Sequence, residues 1–386
     1  MIGRPKPPPL DTAARLHERE RTRGPAAAMA PAAVPALGIA RAGGPVVPLV
    51  IHRREPGPRD VVIEIEFCGL CHSDVHTGRG EWGAKRLPLV LGHEMVGIVS
   101  QAGDAVTDLV IGTRVGVGCL VDSCRECGEC RAGLEQFCTK SVATYGGHDA
   151  RTGEYTQGGY STRIVVDARY VLRIPAALDP AAAAPLLCAG ITTYSPLRHH
   201  DVGPGSRVGV LGLGGLGHMA VKLAVAMGAE VTVLTRGNAK HDSALALGAH
   251  TVIDTLDAAA LRGSRDTLDL LIDTVSAPHD VGPYLKALRR DGALVQLSLP
   301  DGPMPGFDTR ELVHRRLSYT GSLIGSIAQT QEMLDFCAEH QVACEIELTG
   351  AKHINEAWDR MVAADVKYRF VLDAATLRGD DHMEGA

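Results

Sequence analysis

Two short segments of the chain carry residues that could bind a metal and move a proton. Cys71 lies in the segment GLCHSDVH, residues 69–76, and His93 follows in the segment GHE. A thiolate and an imidazole are two of the ligands that zinc prefers. Ser73 and His76 place a hydroxyl and a second imidazole beside that thiolate, and such groups can pass a proton to a substrate. The pattern predicts a catalytic metal site, because a purely structural site needs no proton path.

A catalytic zinc site needs a third protein ligand and keeps its fourth position open. Cys188, in the apolar segment PLLCAG, is a candidate because it lies where the composition of the chain changes. A single cysteine in an apolar helix is more often a core residue, so the residues alone leave this ligand open. Cys68 competes with Cys71 for a place at the metal. However, Cys68 ends a strand-like run, whereas Cys71 is on the loop that carries the hydroxyl and the second imidazole.

Four further cysteines are spaced as ligands of a second metal ion. They follow the pattern Cys124-x2-Cys127-x2-Cys130-x7-Cys138. Four thiolates at this spacing close a tetrahedral zinc site and leave no position for a substrate, which indicates a structural role. A zinc ribbon that binds nucleic acid is the other interpretation. The acidic residues in and around this loop disfavour it, because they would repel phosphates.

A glycine-rich turn predicts a dinucleotide-binding site. The turn consists of Gly212, Leu213, Gly214, Gly215, Leu216 and Gly217. It follows the strand-like run VGVL and opens a helix-like run that begins at His218. In G-x-G-x-x-G, the first glycine makes the tight turn, the second lets a pyrophosphate approach the backbone, and the third lets the helix pack on the strand. The helix N-terminus then faces the anion. A glycine-rich packing turn without a ligand is the alternative.

The residues after the next strand-like run indicate which dinucleotide binds. An NAD site usually has an acidic residue there, which accepts a hydrogen bond from the ribose 2′-hydroxyl. Residues 233–240 contain no acid and instead offer Thr235, Arg236 and Lys240. A hydroxyl, a guanidinium and an ammonium group suit a 2′-phosphate, so NADP(H) is favoured over NAD(H). The two cations could also be solvated surface residues.

The order of the expected elements divides the chain into two kinds of structure. From residue 61 to about 175, short runs such as VVIEIEF alternate with Gly and Pro turns, which predicts a mostly antiparallel, partly β domain. From residue 208, strand-like runs such as EVTVLT and DLLIDTV alternate with helix-like runs. This βαβ rhythm predicts a parallel sheet wrapped by helices. The helix-like runs TQEMLDFCAEH and INEAWDRMVAA and the strand-like run YRFVLD complete the chain.

Length and composition narrow the class of protein. At 386 residues, two domains are expected, and 45% hydrophobic and 22% charged residues describe a globular protein. A net charge of −6 argues against a nucleic-acid partner. The longest apolar stretch, around Val208 to Leu234, is interrupted by charged residues and predicts no membrane span. The clustered cysteines favour metal binding in a reducing compartment, so we expect a cytoplasmic protein.

Residues 1–28 are rich in Pro, Arg and Ala and have no strand pattern. We expect a disordered extension there, and a translation start upstream of the true one is the alternative. Neither interpretation assigns these residues a function.

Taken together, the motifs resemble those of the zinc-dependent medium-chain dehydrogenase/reductase family, in the cinnamyl-alcohol-dehydrogenase branch with its bacterial NADPH-dependent aldehyde reductases. The matching segments are CGLCHSDVH, PLVLGHEMVGIV, the four-cysteine loop, GGYSTRIVVD, PLLCAGITTYSPL, VGVLGLGGLGHMAVKLA, DTVSA, GSLIGS and DVKYRFVLD, from about residue 35 to 373. The resemblance implies an α/β protein with a GroES-like, mostly β catalytic domain and a Rossmann domain with a doubly wound parallel sheet. We place the catalytic zinc domain at 29–189 and 323–386, and the NADP-binding domain at 190–322.

The resemblance also assigns roles at the catalytic site. It makes Cys71, His93 and Cys188 the catalytic zinc ligands, with Glu94 close behind the metal. The cysteines at 124, 127, 130 and 138 correspond to a structural zinc site. Ser73 corresponds to the hydroxyl that bonds the substrate oxygen, and His76 to the far end of a proton relay through the nicotinamide ribose.

Further residues correspond to positions that line the cofactor in this family. They are His72, Ser73, Thr192, Thr274, Ser298, Ser322, Leu323, Ile324 and Arg369, of which His72 and Arg369 would contact the pyrophosphate. Trp82 falls where the branch often has a pocket aromatic, although a packed surface tryptophan is the alternative. Many members carry serines where this chain has Thr235-Arg236, and the cation there strengthens the NADP interpretation.

The implied function is a reversible NADP(H)-dependent alcohol dehydrogenase that acts chiefly as an aldehyde reductase. Its partners would be NADP(H), two zinc ions per chain, a small-molecule aldehyde or alcohol, and a second copy of the chain in a homodimer. An NAD-dependent alcohol dehydrogenase is one alternative. A zinc- and dinucleotide-binding sensor or scaffold without activity is another, and the complete set of ligand and relay residues counts against it.

Overall fold

Strands dominate the first part of the chain. The computed structural model describes residues 33–300 and 302–378, and the extension expected at residues 1–28 lies outside them. The strands here are β1 Ala33–Ile39, β2 Val46–His52, β3 Asp60–Gly69, β4 Leu89–Val90, β5 Met95–Ala102, β6 Arg114–Val117, β7 Leu120–Asp122, β8 Val142–Ala143, β9 Arg163–Asp167 and β10 Leu172–Arg173. Between them lie α1 His72–Arg79, α2 Gly128–Arg131 and the 3₁₀ turns Glu135–Phe137 and Ala168–Tyr170.

Helices and strands alternate in the middle of the chain. The strands are β11 Arg207–Leu211, β12 Glu230–Thr235, β13 Thr251–Asp254, β14 Leu268–Asp273, β15 Leu288–Gln296 and β16 Ser318–Gly321. The helices are α3 Pro180–Ala183, α4 Ala189–His199, α5 Gly217–Ala226, α6 His241–Ala246, α7 Ala258–Gly263, α8 Gly282–Leu285 and α9 Arg310–Arg315, and a 3₁₀ turn covers Ala184–Leu187. This alternation confirms the βαβ prediction.

The last described part returns to the first. It contains α10 Ile327–Glu339, β17 Ile346–Thr349, α11 Ile354–Val362 and β18 Arg369–Asp373, with 3₁₀ turns at Ala351–His353 and Ala374–Leu377. β18 pairs antiparallel with β3, and β17 pairs with β18. The resulting sheet has the order β10-β6-β5-β3-β18-β17, and β9 also pairs with β3. The C-terminal strands therefore complete a sheet that the first part of the chain begins.

The middle of the chain forms a six-stranded parallel sheet with the order β13-β12-β11-β14-β15-β16. Its strands are short apolar runs, as expected when helices cover both faces of a parallel sheet. The strand order reverses next to β11, where β12 lies on one side and β14 on the other. In such sheets a ligand binds at the reversal, beyond the carboxyl ends of the strands. The expected Rossmann architecture is confirmed.

Helix α11 packs against α1 through an apolar face. α11 buries Ile354, Ala357, Trp358 and Met361, which share one helical face. Trp358 lies against Gly78 of α1, where an added Cβ would come within 2.9 Å of its ring. Trp358 therefore supports α1, the helix that Cys71 directly precedes. The predicted boundaries at 189/190 and 322/323 stay a prediction. All described residues from Ala33 onward belong to one compact unit.

In the described ranges, no helix has both the length and the apolar character needed to cross a membrane.

Candidate active site

Cys71, His93 and Cys188 meet although they come from three separate parts of the chain. Cys71 directly precedes α1, His93 lies between β4 and β5, and Cys188 directly precedes α4. One ligand atom from each of these residues and one from Glu94 all lie within 4.8 Å of one another. His93 Nε2 is 3.3 Å from Cys188 Sγ. Thiolates, an imidazole and a carboxylate are the donors that zinc binds.

The electrostatics of this cluster fit a bound cation. Glu94 is fully buried, and its Oε2 has no hydrogen-bond partner among the described residues. A hydrogen bond with Cys188 lowers the pKa of Cys71 well below its usual range, although burial opposes this. The thiolate is the form of cysteine that binds zinc. The converging donors and the unpartnered carboxylate oxygen therefore suit a metal.

Cys68 does not join this cluster. Its Sγ contacts the carbonyl oxygen of Gly69 at 3.7 Å, inside the sheet core. Burial raises the pKa of the Cys68 thiol well above its usual range. The geometry thus separates the two cysteines that the sequence left in competition.

Asp74, which the sequence analysis did not single out, fixes the cluster from behind. This buried carboxylate lies 3.2 Å from His93 Nδ1 and accepts hydrogen bonds from the Cys71 and Gly92 backbone amides at 3.0 and 3.1 Å. It also accepts the Tyr160 hydroxyl at 2.8 Å. A carboxylate on Nδ1 holds the ring so that Nε2 faces the other donors. The sequence could have indicated Asp74, because this residue lies three positions after Cys71 and caps the start of α1.

Glu94 and Arg369 form a buried ion pair behind the cluster. Arg369 also donates from Nη2 to the carbonyl oxygen of Leu70 at 2.8 Å. Burial raises the pKa of Glu94 to about 7, and Arg369 acts in the opposite direction. Arg369 was expected at the pyrophosphate. The structure places its guanidinium on Glu94 and leaves its Nε without a partner among the described residues, buried beside Gly215 of the glycine turn.

Ser73 and His76 lie on α1, in the order that a proton path requires. Ser73 Oγ is 3.5 Å from Cys71 Sγ, so the hydroxyl borders the ligand cluster. His76 Nδ1 lies 2.5 Å from Glu81 Oε2. Glu81 was missed by sequence reasoning, because no motif marks an acid five residues after a histidine. The contact with Glu81 fixes the orientation of the His76 ring.

Two aromatic rings flank His76. Trp82 stacks on it with ring centroids 4.9 Å apart and planes 20° apart, and its side chain is 37% exposed. Trp82 therefore lies beside His76 at the surface of the protein. The His72 ring lies 6.3 Å from that of His76, and desolvation by neighbouring protein atoms lowers the pKa of His72.

The four cysteines of the second motif also come together, with one ligand atom from each within 4.8 Å of the others. Cys124 Sγ lies 3.5 Å from Cys138 Sγ and 3.9 Å from Cys130 Sγ. Backbone amides donate to the sulfurs, including Cys127 N to Cys124 Sγ at 3.4 Å. Hydrogen bonds from the backbone amides of Glu126 and Cys127 lower the pKa of Cys124 to about 6. All ten cysteines are free of disulfides, and this group fits a closed tetrahedral zinc site.

The glycine turn has the geometry that a pyrophosphate needs. Gly212 has φ +89°, a conformation that other residues rarely adopt. A Cβ on Gly217 would collide with the carbonyl oxygen of Gly212, so this glycine permits close helix–strand packing. No atom of the described residues lies within 4 Å of where a Cβ on Gly214 would be. That open space faces the N-terminus of α5, where an anion is favoured.

The expected 2′-phosphate residues lie at the end of β12. Thr235 is buried, Arg236 is exposed, and Lys240 donates to the carbonyl oxygen of Leu213 at 2.8 Å. Burial lowers the pKa of Lys240. Asp254, at the end of β13, is an acid close to this point, but its Oδ1 accepts the amides of Gly237 and Leu256 at 2.7 and 2.9 Å. That oxygen is therefore engaged by the backbone.

The other expected cofactor residues follow the carboxyl edge of the parallel sheet. Thr274 Oγ1 donates to the Leu211 carbonyl at 2.8 Å, and Ser298 Oγ donates to the Val275 carbonyl at 2.5 Å. Ser322, Leu323 and Ile324 follow β16 at the same edge; Leu323 is 50% exposed and Ile324 has φ +33°. Thr192 lies buried in the first turn of α4, one turn after Cys188.

Comparisons with known proteins agree with this arrangement. Residues 57–176 match the alcohol dehydrogenase GroES-like domain, and residues 215–339 match the zinc-binding dehydrogenase family. NADP-dependent alcohol dehydrogenase C 1 of Mycolicibacterium smegmatis is 54% identical, over 89% of this chain and 99% of that protein. Aldehyde reductase YahK of Escherichia coli is 49% identical, over 89% of this chain and 99% of that protein.

Solved structures give the same result. The cinnamyl alcohol dehydrogenase SbCAD4 of Sorghum bicolor superposes with a TM-score of 0.87 at 41% identity, covering 89% of this chain and 98% of that one. CAD from Helicobacter pylori, complexed with NADP(H), gives a TM-score of 0.84 at 40% identity, with coverage of 89% and 99%. Fold and site together define a two-domain oxidoreductase with a dinucleotide turn and thiolate metal sites. The chain belongs to the zinc-dependent alcohol dehydrogenase family, as the sequence resemblance predicted.

Proposed function

We propose that this protein is a zinc-dependent NADP(H) alcohol dehydrogenase that works chiefly as an aldehyde reductase. The observation that carries this proposal is the cluster of Cys71, His93 and Cys188, which has the Ser73 hydroxyl beside it. Glu94, the fourth donor in this cluster, is already paired with Arg369. Three protein ligands leave a position for substrate, whereas the four-cysteine group leaves none. The first cluster is the proposed catalytic zinc site, with Glu94 behind it, and the second is the structural zinc site.

The proposed cofactor is NADP(H), held on the turn at 212–217. The open space over Gly214 supports a pyrophosphate there, and so does Arg369, which lies against Gly215 and whose Nε has no partner among the described residues. Arg236 is the proposed partner of the 2′-phosphate, together with Thr235 and Lys240. The relative named as NADP-dependent and the solved structure complexed with NADP(H) support the same choice.

When bound, zinc supplies a Lewis acid for the substrate oxygen and NADPH supplies the hydride for the carbonyl carbon. The protein's own residues do the remaining work. Asp74 holds the His93 ring so that Nε2 faces the cluster. Ser73 donates its hydroxyl proton to the oxygen of the substrate as negative charge develops there. His76, directed by Glu81, would return a proton from solvent to Ser73, so that the aldehyde gains one hydride and one proton in all.

A direct assay tests this function. The purified protein should reduce benzaldehyde with NADPH and contain two zinc ions per chain, one for each cysteine-containing cluster. Cys71→Ala should abolish turnover while NADPH binding remains measurable, because the loss removes a proposed metal ligand only. Cys68→Ala is the matched control, since that thiol lies in the core and outside the cluster.

The outcomes separate the alternatives. Turnover retained in Cys71→Ala would contradict the zinc assignment. NADPH binding without turnover of any aldehyde or alcohol in a panel would instead indicate a sensor or scaffold. Equal or faster turnover with NADH would indicate an NAD-dependent dehydrogenase.

The substrate is a small-molecule aldehyde or alcohol. We further propose a homodimer in the cytoplasm. β16 is the edge of the parallel sheet, and Leu299, Val313 and Tyr319 lie exposed near it. An unpaired edge with apolar neighbours is suited to a second copy. The free cysteines and thiolate sites suit a reducing compartment. Light scattering after size-exclusion chromatography measures the assembly.

A further inference from the structure

His218 is a buried histidine that the proposed chemistry does not use. It is the second residue of α5 and has no exposed surface. Its Nδ1 lies 3.2 Å from the carbonyl oxygen of Gly214, the glycine with open space over it. Because a carbonyl oxygen only accepts, Nδ1 carries the proton and donates. Nε2 then has a lone pair and has no partner among the described residues. The ring is thus attached to the backbone of the glycine turn.

The same ring stacks on a residue of the C-terminal part of the chain. The His218 and Tyr368 ring centroids are 4.8 Å apart, and the planes differ by 13°. Tyr368 directly precedes Arg369. Burial lowers the pKa of His218 to about 3, and Arg369 adds to this effect. The ring is therefore neutral and can lie close to the arginine without repulsion.

Arg369 connects this stack to the catalytic cluster. A Cβ on Gly215 would come within 2.9 Å of Arg369 Cδ, so the side chain lies against the glycine turn. Its other end pairs with Glu94 and donates to the carbonyl oxygen of Leu70, the residue before Cys71. The amide of Leu70 in turn donates to the carbonyl of Phe370 at 2.9 Å. One arginine therefore touches both the turn and the carboxylate beside the proposed zinc ligands.

We propose that His218 and Tyr368 are positioning residues whose stack holds Arg369 between the glycine turn and Glu94, and so couples cofactor affinity to the charge behind the catalytic metal. The proposal rests on the proposed function for the identity of the cofactor. Its physical basis is burial, because displacement of a charged group changes its interactions far more in a site without water than at the surface. Two aromatic rings prefer particular relative orientations, whereas hydrophobic contact between aliphatic side chains is non-directional.

A double-mutant cycle measures this coupling, because contact alone does not establish it. NADPH is titrated by fluorescence into the zinc-loaded wild type, His218→Leu, Glu94→Gln and the double variant. If the stack transmits the coupling, His218→Leu weakens NADPH binding. The change in the NADPH dissociation constant of the double variant then differs from the product of the two single-variant changes by about fivefold or more. Additivity within twofold, in a wild type that binds NADPH, overturns the proposal.

Tyr368 gives a second and independent arm. Tyr368→Phe keeps the stacked ring. In this variant, Glu94→Gln should change NADPH affinity by the same factor as in the wild type, within about twofold. Tyr368→Leu removes the ring and should respond as His218→Leu does. Equal responses of the two Tyr368 variants would overturn the proposal. This arm decides the question if His218→Leu does not fold.

Phe336→Leu is the control for a general loss of packing. Phe336 contacts Tyr194 at a centroid distance of 5.6 Å, in a ring pair that does not involve the glycine turn or Arg369. In Phe336→Leu, Glu94→Gln should change NADPH affinity by the same factor as in the wild type. Zinc content is measured for every variant, so a change in metal loading is distinguished from a change in coupling. A wild type that fails to bind NADPH would overturn the proposed function itself.

Discussion

Asp74 accepts hydrogen bonds from two backbone amides and one hydroxyl while its Oδ1 faces the His93 ring. All four partners lie next to the proposed zinc ligands or in the core behind them. The carboxylate therefore determines both the orientation of the imidazole and the path of the Cys71 loop. Such an outer residue affects a metal site nearly as strongly as a ligand does.

Asp74→Asn should weaken catalytic zinc binding by about 10- to 100-fold, because the amide cannot replace the charged acceptor at all its partners. Zinc retained against a graded chelator, measured per chain, reports this loss. The structural zinc should stay bound. Asp60→Asn is the control, since Asp60 is equally buried but pairs with Arg54. Catalytic zinc as firmly bound in Asp74→Asn as in that control would contradict the assigned role.

Arg236→Asp should reverse the charge at the proposed 2′-phosphate contact. We expect the ratio of kcat/KM with NADPH to that with NADH to fall by about tenfold or more, because a charge-assisted contact becomes a repulsion. Arg262→Asp makes the same charge change on α7, also at an exposed position. An unchanged ratio, or the same fall in both variants, would show that Arg236 does not select the cofactor.

At the scale of elements, different glycines of the turn meet two different requirements, one for helix packing and one for space beside the backbone. Gly217 permits helix packing, whereas Gly214 leaves space outside the protein. A methyl group at Gly214 meets no described atom, so the fold should tolerate it. The same methyl would occupy the space proposed for the pyrophosphate.

Gly214→Ala should therefore raise the NADPH dissociation constant by about tenfold or more while the free energy of unfolding changes by less than about 1 kcal/mol. Isothermal titration and denaturant unfolding measure the two quantities. Gly203→Ala is the matched variant, because a Cβ there also meets no described atom but lies away from the turn. Undiminished NADPH affinity in Gly214→Ala would place the pyrophosphate elsewhere.

Local patterns were sufficient for the elements and for most of the candidate site. Periodicity identified the parallel strands, and spacing identified the four-cysteine group. Cys188 joined Cys71 and His93 only through the family resemblance. Residue pairs far apart in sequence could not be predicted in this way. Arg369 and Glu94 are separated by 275 positions, and Tyr160 and Asp74 by 86. The contact of Arg369 with Glu94 depends on β18 lying beside β3, which no local pattern encodes. Asp74 was the exception, because its capping geometry is local.

At the scale of the whole molecule, the stability should depend on pH through His279. Its Nε2 lies 3.1 Å from the buried Asp273 carboxylate, and Nδ1 donates to the Ala277 carbonyl at 2.9 Å. The Asp273 carboxylate beside the ring raises the pKa of His279 above the ordinary value of 6.5, and the charge of Asp280 adds to this effect. A raised pKa in the folded state stabilises the fold at low pH. This stabilisation is complete below about pH 6.5 and is lost as the pH rises through the raised pKa.

His279→Gln should accordingly lower the free energy of unfolding by about 1 kcal/mol at pH 6, and the difference from wild type should shrink towards pH 9. Denaturant midpoints of both proteins across this range give the comparison. His250→Gln serves as the control, because His250 Nδ1 accepts a backbone amide from Val231 and has no acidic partner among the described residues. A difference that is constant with pH would contradict the sign derived above.

The return of the chain to its first sheet has a consequence for biosynthesis. β3 receives β18 only after residues 369–373 have left the ribosome, although Cys71, His93 and Cys188 emerge much earlier. During translation, the nascent chain therefore exposes an unpaired edge of β3 and a Glu94 that still lacks its arginine. Unpaired strand edges favour wrong association. The four-cysteine loop, by contrast, is local in sequence and can capture its metal while the ribosome is still working. The order of synthesis thus places the structural site first and the completed catalytic site last.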